Sequence, residues 1–325
     1  MTSPPPAELR VAIAIPTFHR PKKLAALLAE LPERIREVGA TARCEVLVVD
    51  NDPAGSARST VEQAGDLAVR YVVEPEPGIA AVRNRALAES ADADLLAFID
   101  DDERPRPGWL HHLVETWLVT RPAAVMGRVI SLFAADVDPW VLATGAFRRR
   151  PRTTGIEVPV AAAGNLLLDL EQVRALDVSF DPTLGLTGGE DTLFSKQLVA
   201  RGGRIVWCNE SETEDVVPPE RTTRAWTMRR AFRGGNTAVV VGLKTAGGRP
   251  ARGVVRLRGV VGGSARCVGG YLRHLGGRVR SDVEADARGL RTAYRGLGMV
   301  AAALGHVHRE YARPSLAPET TDVTP

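Results

Sequence analysis

The stretch Leu95-Leu96-Ala97-Phe98-Ile99-Asp100-Asp101-Asp102-Glu103 runs five apolar residues straight into four acids. Five apolar residues bounded by a polar turn read as a buried strand rather than a helix. In open α/β sheets the carboxyl ends of the strands are where ligands bind, so the acids fall where chemistry is expected. Four adjacent carboxylates repel one another. Either they form an exposed, solvated turn, or a hard divalent cation, Mg2+ or Mn2+, neutralises them.

Outward from that strand the same rhythm repeats. Val11–Ile15, Val46–Val49 and Val69–Val73 are short apolar runs that predict three more strands. Lys22–Val38 has helical spacing through Leu24, Leu27, Leu28, Leu31 and Ile35, with Pro32 as a kink or break. Gly78–Ser90 reads as a helix entered through Pro75 and Pro77. Strands alternating with helices predict an α/β fold, a mostly parallel Rossmann-like sheet flanked by helices. Beyond position 105 the alternation loosens. Trp109–Val119 and Asp191–Arg201 predict helices, and Val125–Ile130, Gly164–Leu168 and Arg204–Trp207 predict strands. The intervening 133–160, rich in Pro, Arg and small residues, reads as a substrate-facing loop.

The other strand ends are polar too. The first runs through Pro16 into Thr17-Phe18-His19-Arg20, the second into Asp50-Asn51-Asp52. Carboxylates holding Mg2+ or Mn2+ at such ends suit a phosphate-bearing substrate, because the ion bridges phosphate oxygens. Absent features narrow the choice. Pro16-Thr17-Phe18 stands where a Gly-rich phosphate loop would be, which argues against dinucleotide dehydrogenases, similar methyltransferases and P-loop NTPases.

Seven segments together resemble the family-2 glycosyltransferases of GT-A fold: IAIPTFHRP, VLVVDND, PGIAAVRNRAL, FIDDDERPRPGWL, AGNLLL, GLTGGEDTLFSKQL and VVPPERTTRAW. They stand in the family's order and cover roughly residues 10–236. The resemblance implies an inverting transfer of a sugar from a nucleotide-diphosphate sugar to an acceptor hydroxyl of a cell-envelope or lipid-linked glycan. It implies donor contacts at Pro16, Thr17, Arg20, Asp50, Asn51 and Arg83, and at Asp100, Asp101, Gly164, Asn165, Arg221 and Arg229. Asp100 and Asp102 correspond to the Asp-x-Asp signature, with Asp102 the direct metal ligand. Asp215 stands where relatives often carry a His or acid, as a further metal ligand. Asp191 of Gly188-Gly189-Glu190-Asp191 corresponds to the catalytic base, with Glu190 beside it.

The chemistry asks for the same groups. Attack by a hydroxyl at the anomeric carbon needs a base to take its proton and positive charge to stabilise the departing diphosphate. An acid at a helix start also serves as an N-cap, which is the other reading of Glu190 and Asp191. Arg221, Arg224, Arg229, Arg230 and Arg233 either fork onto phosphate oxygens or form the wet face of a helix. Trp207 and Trp226 stack on sugar rings or are buried. The rival functions are a sugar-nucleotidyltransferase, against which the missing Gly-rich loop counts, and a non-catalytic sugar-nucleotide or glycan binding module.

Length and composition agree with an enzyme. The 325 residues are 44% hydrophobic and 25% charged, near the globular average. Three scattered cysteines, Cys44, Cys208 and Cys267, exclude a disulfide framework and predict a reducing, cytoplasmic setting. Neither a membrane-spanning run nor a signal-peptide stretch is read in the sequence. The net charge of +3 hides a division. Residues 221–313 hold 19 Lys/Arg against 4 Asp/Glu, and residues 1–220 hold 23 against 33. This predicts a loose 1–9, a glycosyltransferase domain over 10–236, a basic amphipathic helical region over 237–313 and a disordered 314–325. The domain divides into a nucleotide-binding half, about 10–104, and an acceptor half, about 105–236. The basic region reads as helices on an anionic membrane, peripheral on the cytoplasmic face, or packed on the domain or another subunit. Nucleic acid is not expected, since no nucleic-acid-binding motif is present.

Overall fold

The structure is a computed structural model that describes residues 9–133 and 136–308. The expectations for 1–8 and 314–325 lie outside those residues, while Leu9 already belongs to the first strand. The strands are β1 (Leu9–Thr17), β2 (Ala42–Asp50), β3 (Val69–Val73), β4 (Leu95–Ile99), β5 (Glu103–Pro105), β6 (Ala124–Phe133), β7 (Asn165–Asp169) and β8 (Ile205–Val217). The helices are α1 (Pro21–Val38), α2 (Arg58–Glu62), α3 (Ile79–Glu89), α4 (Trp109–Thr120), α5 (Pro139–Ala143), α6 (Leu170–Ala175), α7 (Glu190–Ala200), α8 (Arg224–Thr245), α9 (Arg249–Val279) and α10 (Val283–Ala303).

All eight strands form one sheet in the order β3-β2-β1-β4-β7-β6-β8-β5. The first four are mutually parallel; β7 runs antiparallel between β4 and β6, and β8 lies parallel to β6. Both faces are covered, and the pleat explains how. Val11, Ile13 and Ile15 of β1 pack with α1 and α4 on one side, where Trp109, Leu110 and Leu113 are buried. Ala12 and Ala14 face the other side, with α3, α6 and α7 contributing Val82, Val173 and Phe194. Alternate residues of one strand thus feed two cores.

Two elements differ from the sequence reading. α1 passes through Pro32 without a break. Its face of Leu24, Leu27, Leu28 and Leu31 is buried, and each such leucine is worth about 1.5–3 kcal/mol, which outweighs one interior proline at about 3 kcal/mol. β8 does not stop at Trp207 but continues to Val217. Its second half reads SETEDVV, with Ser211, Thr213 and Val217 buried at period two, and Glu212 and Glu214 salt-bridged to Arg106 on its outer side. This extension recruits Glu103–Pro105 as the edge strand β5.

α8 runs through position 236 and leads into a hairpin of α9 and α10. Glycines set how closely these helices approach: a Cβ on Gly235 would lie 1.9 Å from the Arg295 carbonyl oxygen, and one on Gly270 2.5 Å from the Ala293 nitrogen. Gly235→Ala should therefore lower stability by about 1–3 kcal/mol through overpacking. Gly269→Ala, whose Cβ meets nothing within 4 Å, should raise it by up to about 1 kcal/mol through helix propensity. Denaturant midpoints of the two variants check both signs.

Candidate active site

The C-terminal ends of β1, β2 and β4 lie side by side, with Thr17 in register with Asp50. His19 turns the chain after β1 at φ 53°, and Arg20 reaches back over the acids of the β4 end. The Arg20 Nη1 donates to Asp101 Oδ1 at 2.8 Å and Asp102 Oδ2 at 3.0 Å, Lys23 Nζ lies 3.4 Å from Asp102, and Thr17 Oγ1 donates to Asp101 at 2.8 Å. Pro16 stands buried in register with Val49.

Asp50 and Asn51 are spent on internal bonds. Asp50 is fully buried and accepts from the Asp52 and Ala57 amides and from the Tyr71 hydroxyl. Asn51 donates to the Glu74 and Glu76 carbonyls and accepts from the Gly78 amide. They shape the loops around the β2 end. Asn165, also fully buried, accepts from Trp109 Nε1 at 3.0 Å and donates to the Ser211 carbonyl. It ties β7 to α4 and β8.

The acids after β4 divide by environment. Burial pushes the Asp100 carboxyl up to about 6, reinforced by Asp102 and Asp101 and opposed by Arg83. Glu103 is buried; desolvation and then Asp100 raise its pKa well above the ordinary carboxyl range, although Thr213 Oγ1 donates to it at 2.6 Å. Gly164 permits this crowding. A Cβ there would stand 2.5 Å from Glu103 Oε1 and 2.9 Å from Asp100 Oδ2. Neither Glu103's burial nor the Thr213 bond is marked in the sequence beyond the alternation along SETEDVV.

Arg83, from α3, joins this cluster to the start of α7. It is 5% exposed, donates to Glu190 Oε1 at 2.5 Å and lies 3.7 Å from Asp100 Oδ1, with its guanidinium 5.6 Å from the Phe180 ring centroid. The backbones meet at the same place. Gly78, at φ +117°, packs 3.1 Å from Gly185 by its would-be Cβ, and the Ile79 amide donates to the Gly185 carbonyl. Two motifs more than a hundred residues apart thereby form one wall.

α7 begins at Glu190 after Gly189, which takes a left-handed φ of +95°. Neither acid is its N-cap. Glu190 is buried with Oε2 lacking a hydrogen-bond partner, and desolvation raises its pKa against the pull of Arg83. Asp191 is partly exposed and its Oδ1 accepts from the Thr192 amide at 2.5 Å.

Asp215, on β8, is the Cα partner of both Glu103 and Ser131. Desolvation and Asp102 raise its pKa, while Arg221, Arg149 and Arg230 lower it. A small pocket beside it is lined by Arg149, Arg221, Arg230, Phe147 and Trp226. Burial, then Arg233 and Arg149, holds Arg230 down at about 10, so the pocket is a confined positive site. Arg149 comes from the middle loop, where sequence shows only that arginines abound. The arginine group of α8 is split by the helix: Arg229 lies exposed on the other side, on an open groove with His274 and Tyr294, and Arg224 pairs with Asp138 at 2.6 Å. Trp226 stacks on Phe147, 5.7 Å between centroids, and Trp207 is buried.

Acids at the strand ends of an α/β fold, a pocket lined by arginines and an acid pair at a helix start are the groups that transfer from a phosphorylated donor calls for. The sequence profile described as Glycosyl transferase family 2 matches residues 12–175. The succinoglycan biosynthesis protein ExoM of Rhizobium meliloti (strain 1021) is 33% identical over 241 residues, 72% of this chain and 75% of that protein. The pre-mycofactocin glycosyltransferase of Mycobacterium tuberculosis is 29% identical over 205 residues, 59% of this chain and 41% of that one. Among solved structures, the mannosyltransferase PcManGT from Pyrobaculum calidifontis, in complex with GDP-Man and Mn2+, has a TM-score of 0.61 at 18% identity, covering 91% and 88% of the two chains. S. aureus TarS 1-349 has a TM-score of 0.51 at 14% identity, covering 88% and 91%. The chain belongs to glycosyltransferase family 2: it is a glycosyltransferase of GT-A fold.

Removing Arg83 alone would strand Glu190 and Asp100 without their counter-charge. Arg83→Met should cost about 3–5 kcal/mol, the usual result of breaking a buried pair from one side. Arg83→Met combined with Glu190→Gln should recover much of that loss. Denaturant unfolding of the single and double variants measures it.

Proposed function

We propose that this chain transfers a sugar from a nucleotide-diphosphate sugar to a hydroxyl of a cell-envelope polysaccharide precursor, with inversion at the anomeric carbon. The observation that carries the reading is the Arg83 guanidinium, which holds Asp100 of the acid cluster and Glu190 of α7 around one charge. It brings the group beside the diphosphate and the group beside the acceptor into one site. The names of similar proteins support the donor and acceptor classes: TarS structures hold UDP or UDP-GlcNAc, PcManGT holds GDP-Man and Mn2+, and ExoM is named for succinoglycan biosynthesis.

In this reading the loops shaped by Asp50 and Asn51, with Pro16 and Thr17, receive the nucleoside. Arg20 orders Asp101 and Asp102. Asp102 and Asp100, with Asp215 of β8, would hold a Mg2+ or Mn2+ ion. Burial, and then the neighbouring carboxylates, raise the pKa of Asp100 and of Asp215, a setting that suits such an ion, and hard cations of this kind take one or two carboxylates plus substrate phosphates rather than a closed protein cage. Among the described residues, the ligand-type trio with atoms within 4.8 Å of one another is His111, His112 and Glu115, away from these acids. Such an ion would supply charge stabilisation to the diphosphate oxygens.

Asp191 takes the acceptor hydroxyl's proton as the hydroxyl attacks. Glu190 is held by Arg83, so it sets the position of the α7 start rather than acting as base. Arg221, Arg230 and Arg149 receive the negative charge of the leaving diphosphate, fork to oxygen. The enzyme works on the cytoplasmic side, against the membrane that carries its acceptor.

The test is release of nucleoside diphosphate from a panel of UDP-, GDP- and dTDP-sugars with Mn2+ and an envelope lipid extract as acceptor source. Asp191→Asn should leave donor affinity within a few-fold and cut turnover by roughly 10²–10⁴, the usual worth of general-base catalysis. A larger loss in Glu190→Gln, with donor binding intact in both, would move the base by one residue. Asp102→Asn should abolish the Mn2+-dependent part of donor affinity. Unchanged Mn2+-dependent affinity in that variant would remove the metal from the reading.

A further inference from the structure

α9 has two contrasting sides. The inner side is glycine: Gly259, Gly263, Gly270 and Gly277 are buried, and a Cβ on Gly277 would lie 2.3 Å from the Asp286 nitrogen of α10. At 100° per residue the opposite side presents Val254, Leu257, Val261, Val268, Leu272 and Val279, each between 47% and 86% exposed. These positions recur at helical spacing along a helix of 31 residues, roughly 46 Å at 1.5 Å per residue. Arginines lie on both sides of the stripe, Arg258 next to it on one side with Arg273 and Arg266 further round, and Arg278 and Arg249 on the other, all exposed. The helix holds seven arginines and no Asp or Glu.

We propose that α9 lies in the plane of an anionic lipid surface, with the Val/Leu stripe in the acyl boundary and the arginines in the headgroup layer. A contiguous apolar face of this length is costly in water and marks an interaction surface. The helix lies on the membrane rather than through it, since among the described residues no helix is long and apolar enough to cross. Arginine stems cover apolar surface while their guanidinium ends reach outward, where forked donors match lipid phosphates. Charge decides against a second copy of this chain on the same stripe. Two such helices paired along their apolar seams would juxtapose arginines with no acid in either helix to pair with them, whereas helical dimers rely on opposite charges beside the seam. An anionic headgroup layer supplies the missing partner.

The inference deepens the reading of an enzyme at the membrane face, yet its test needs neither donor nor acceptor. Full-length protein is floated with large unilamellar vesicles of phosphatidylglycerol and phosphatidylcholine, or of phosphatidylcholine alone. The expected result is binding to the anionic vesicles that weakens with added salt, and little binding to the neutral ones. The variant Leu257→Asp/Val261→Asp/Leu272→Asp, altered only at exposed positions, should keep its melting temperature and lose at least about tenfold in partitioning. Failure of the wild type to float with anionic vesicles would overturn the proposal, as would equal binding by the variant. A wild-type dimer by light scattering that the variant abolishes, without vesicle binding, would assign the stripe to a second copy. None of these failures touches the transferase assay.

Discussion

Carboxylates packed at the C-terminal edge of a parallel sheet must be neutralised or protonated, and much of this molecule is arranged around that requirement. Asp100, Asp101, Asp102 and Glu103 leave β4 as a block, and β8 adds Asp215 opposite Glu103. Cationic and hydroxyl groups come to them from separate elements: Thr17 and Arg20 from the β1 end, Arg83 from α3, Thr213 from β8. Each contributing element is held by its own core, so the charges are pre-positioned before any ligand arrives. Burial, and then the neighbouring carboxylates, raise the pKa of Asp100 and of Asp215, against the pull of Arg83 on the first and of Arg221, Arg149 and Arg230 on the second.

The strand-helix alternation and the acid block are legible because they obey local rules. A strand such as LLAFI is apolar on both faces because helices cover both, and the acids follow at its end with no intervening turn signal. What is illegible is long-range pairing. β5 exists only because β8 continues through SETEDVV, and that segment looks like a charged loop until its period of two is matched to Arg106 and Arg128 outside and Glu103 inside. Asp50 and Asn51 are visible as polar residues at a strand end, but whether such a residue faces a ligand or holds a loop depends on partners at Tyr71 and Glu74 that no spacing reveals. The arginines after position 221 look alike in sequence; the α8 axis sends Arg230 to Asp215 and Arg229 to the other side.

Glycine does two jobs in the C-terminal helices. Toward α10 and α8 it removes side chains so that backbones come close, and only a few apolar residues, Val255 and Val260 among them, are needed for the packing. Most valines and leucines of α9 are left to face outward, which is unusual for a helix that must also pack. A helix that used leucines to hold its neighbours would have fewer to present elsewhere. The composition of this region, rich in Gly, Arg and Val, is therefore one solution to two demands, a tight hairpin and an exposed amphipathic surface.

The adjacency of Glu190 and Asp191 shows how one helix start separates two identical chemistries. Successive residues on a helix point about 100° apart, so one carboxylate turns inward to Arg83 and the other toward the partly exposed side. The inward acid gains a charge partner and loses water; the outward one keeps water and has its own next amide as a partner. The partly exposed acid stays open to an incoming group, while the one held by the buried guanidinium fixes where the start of α7 stands. Because the same guanidinium reaches Asp100, the start of α7 cannot shift without disturbing the acid cluster. The spacing between the acid cluster and the start of α7 is thus held by one side chain of α3, Arg83, which belongs to neither acidic motif.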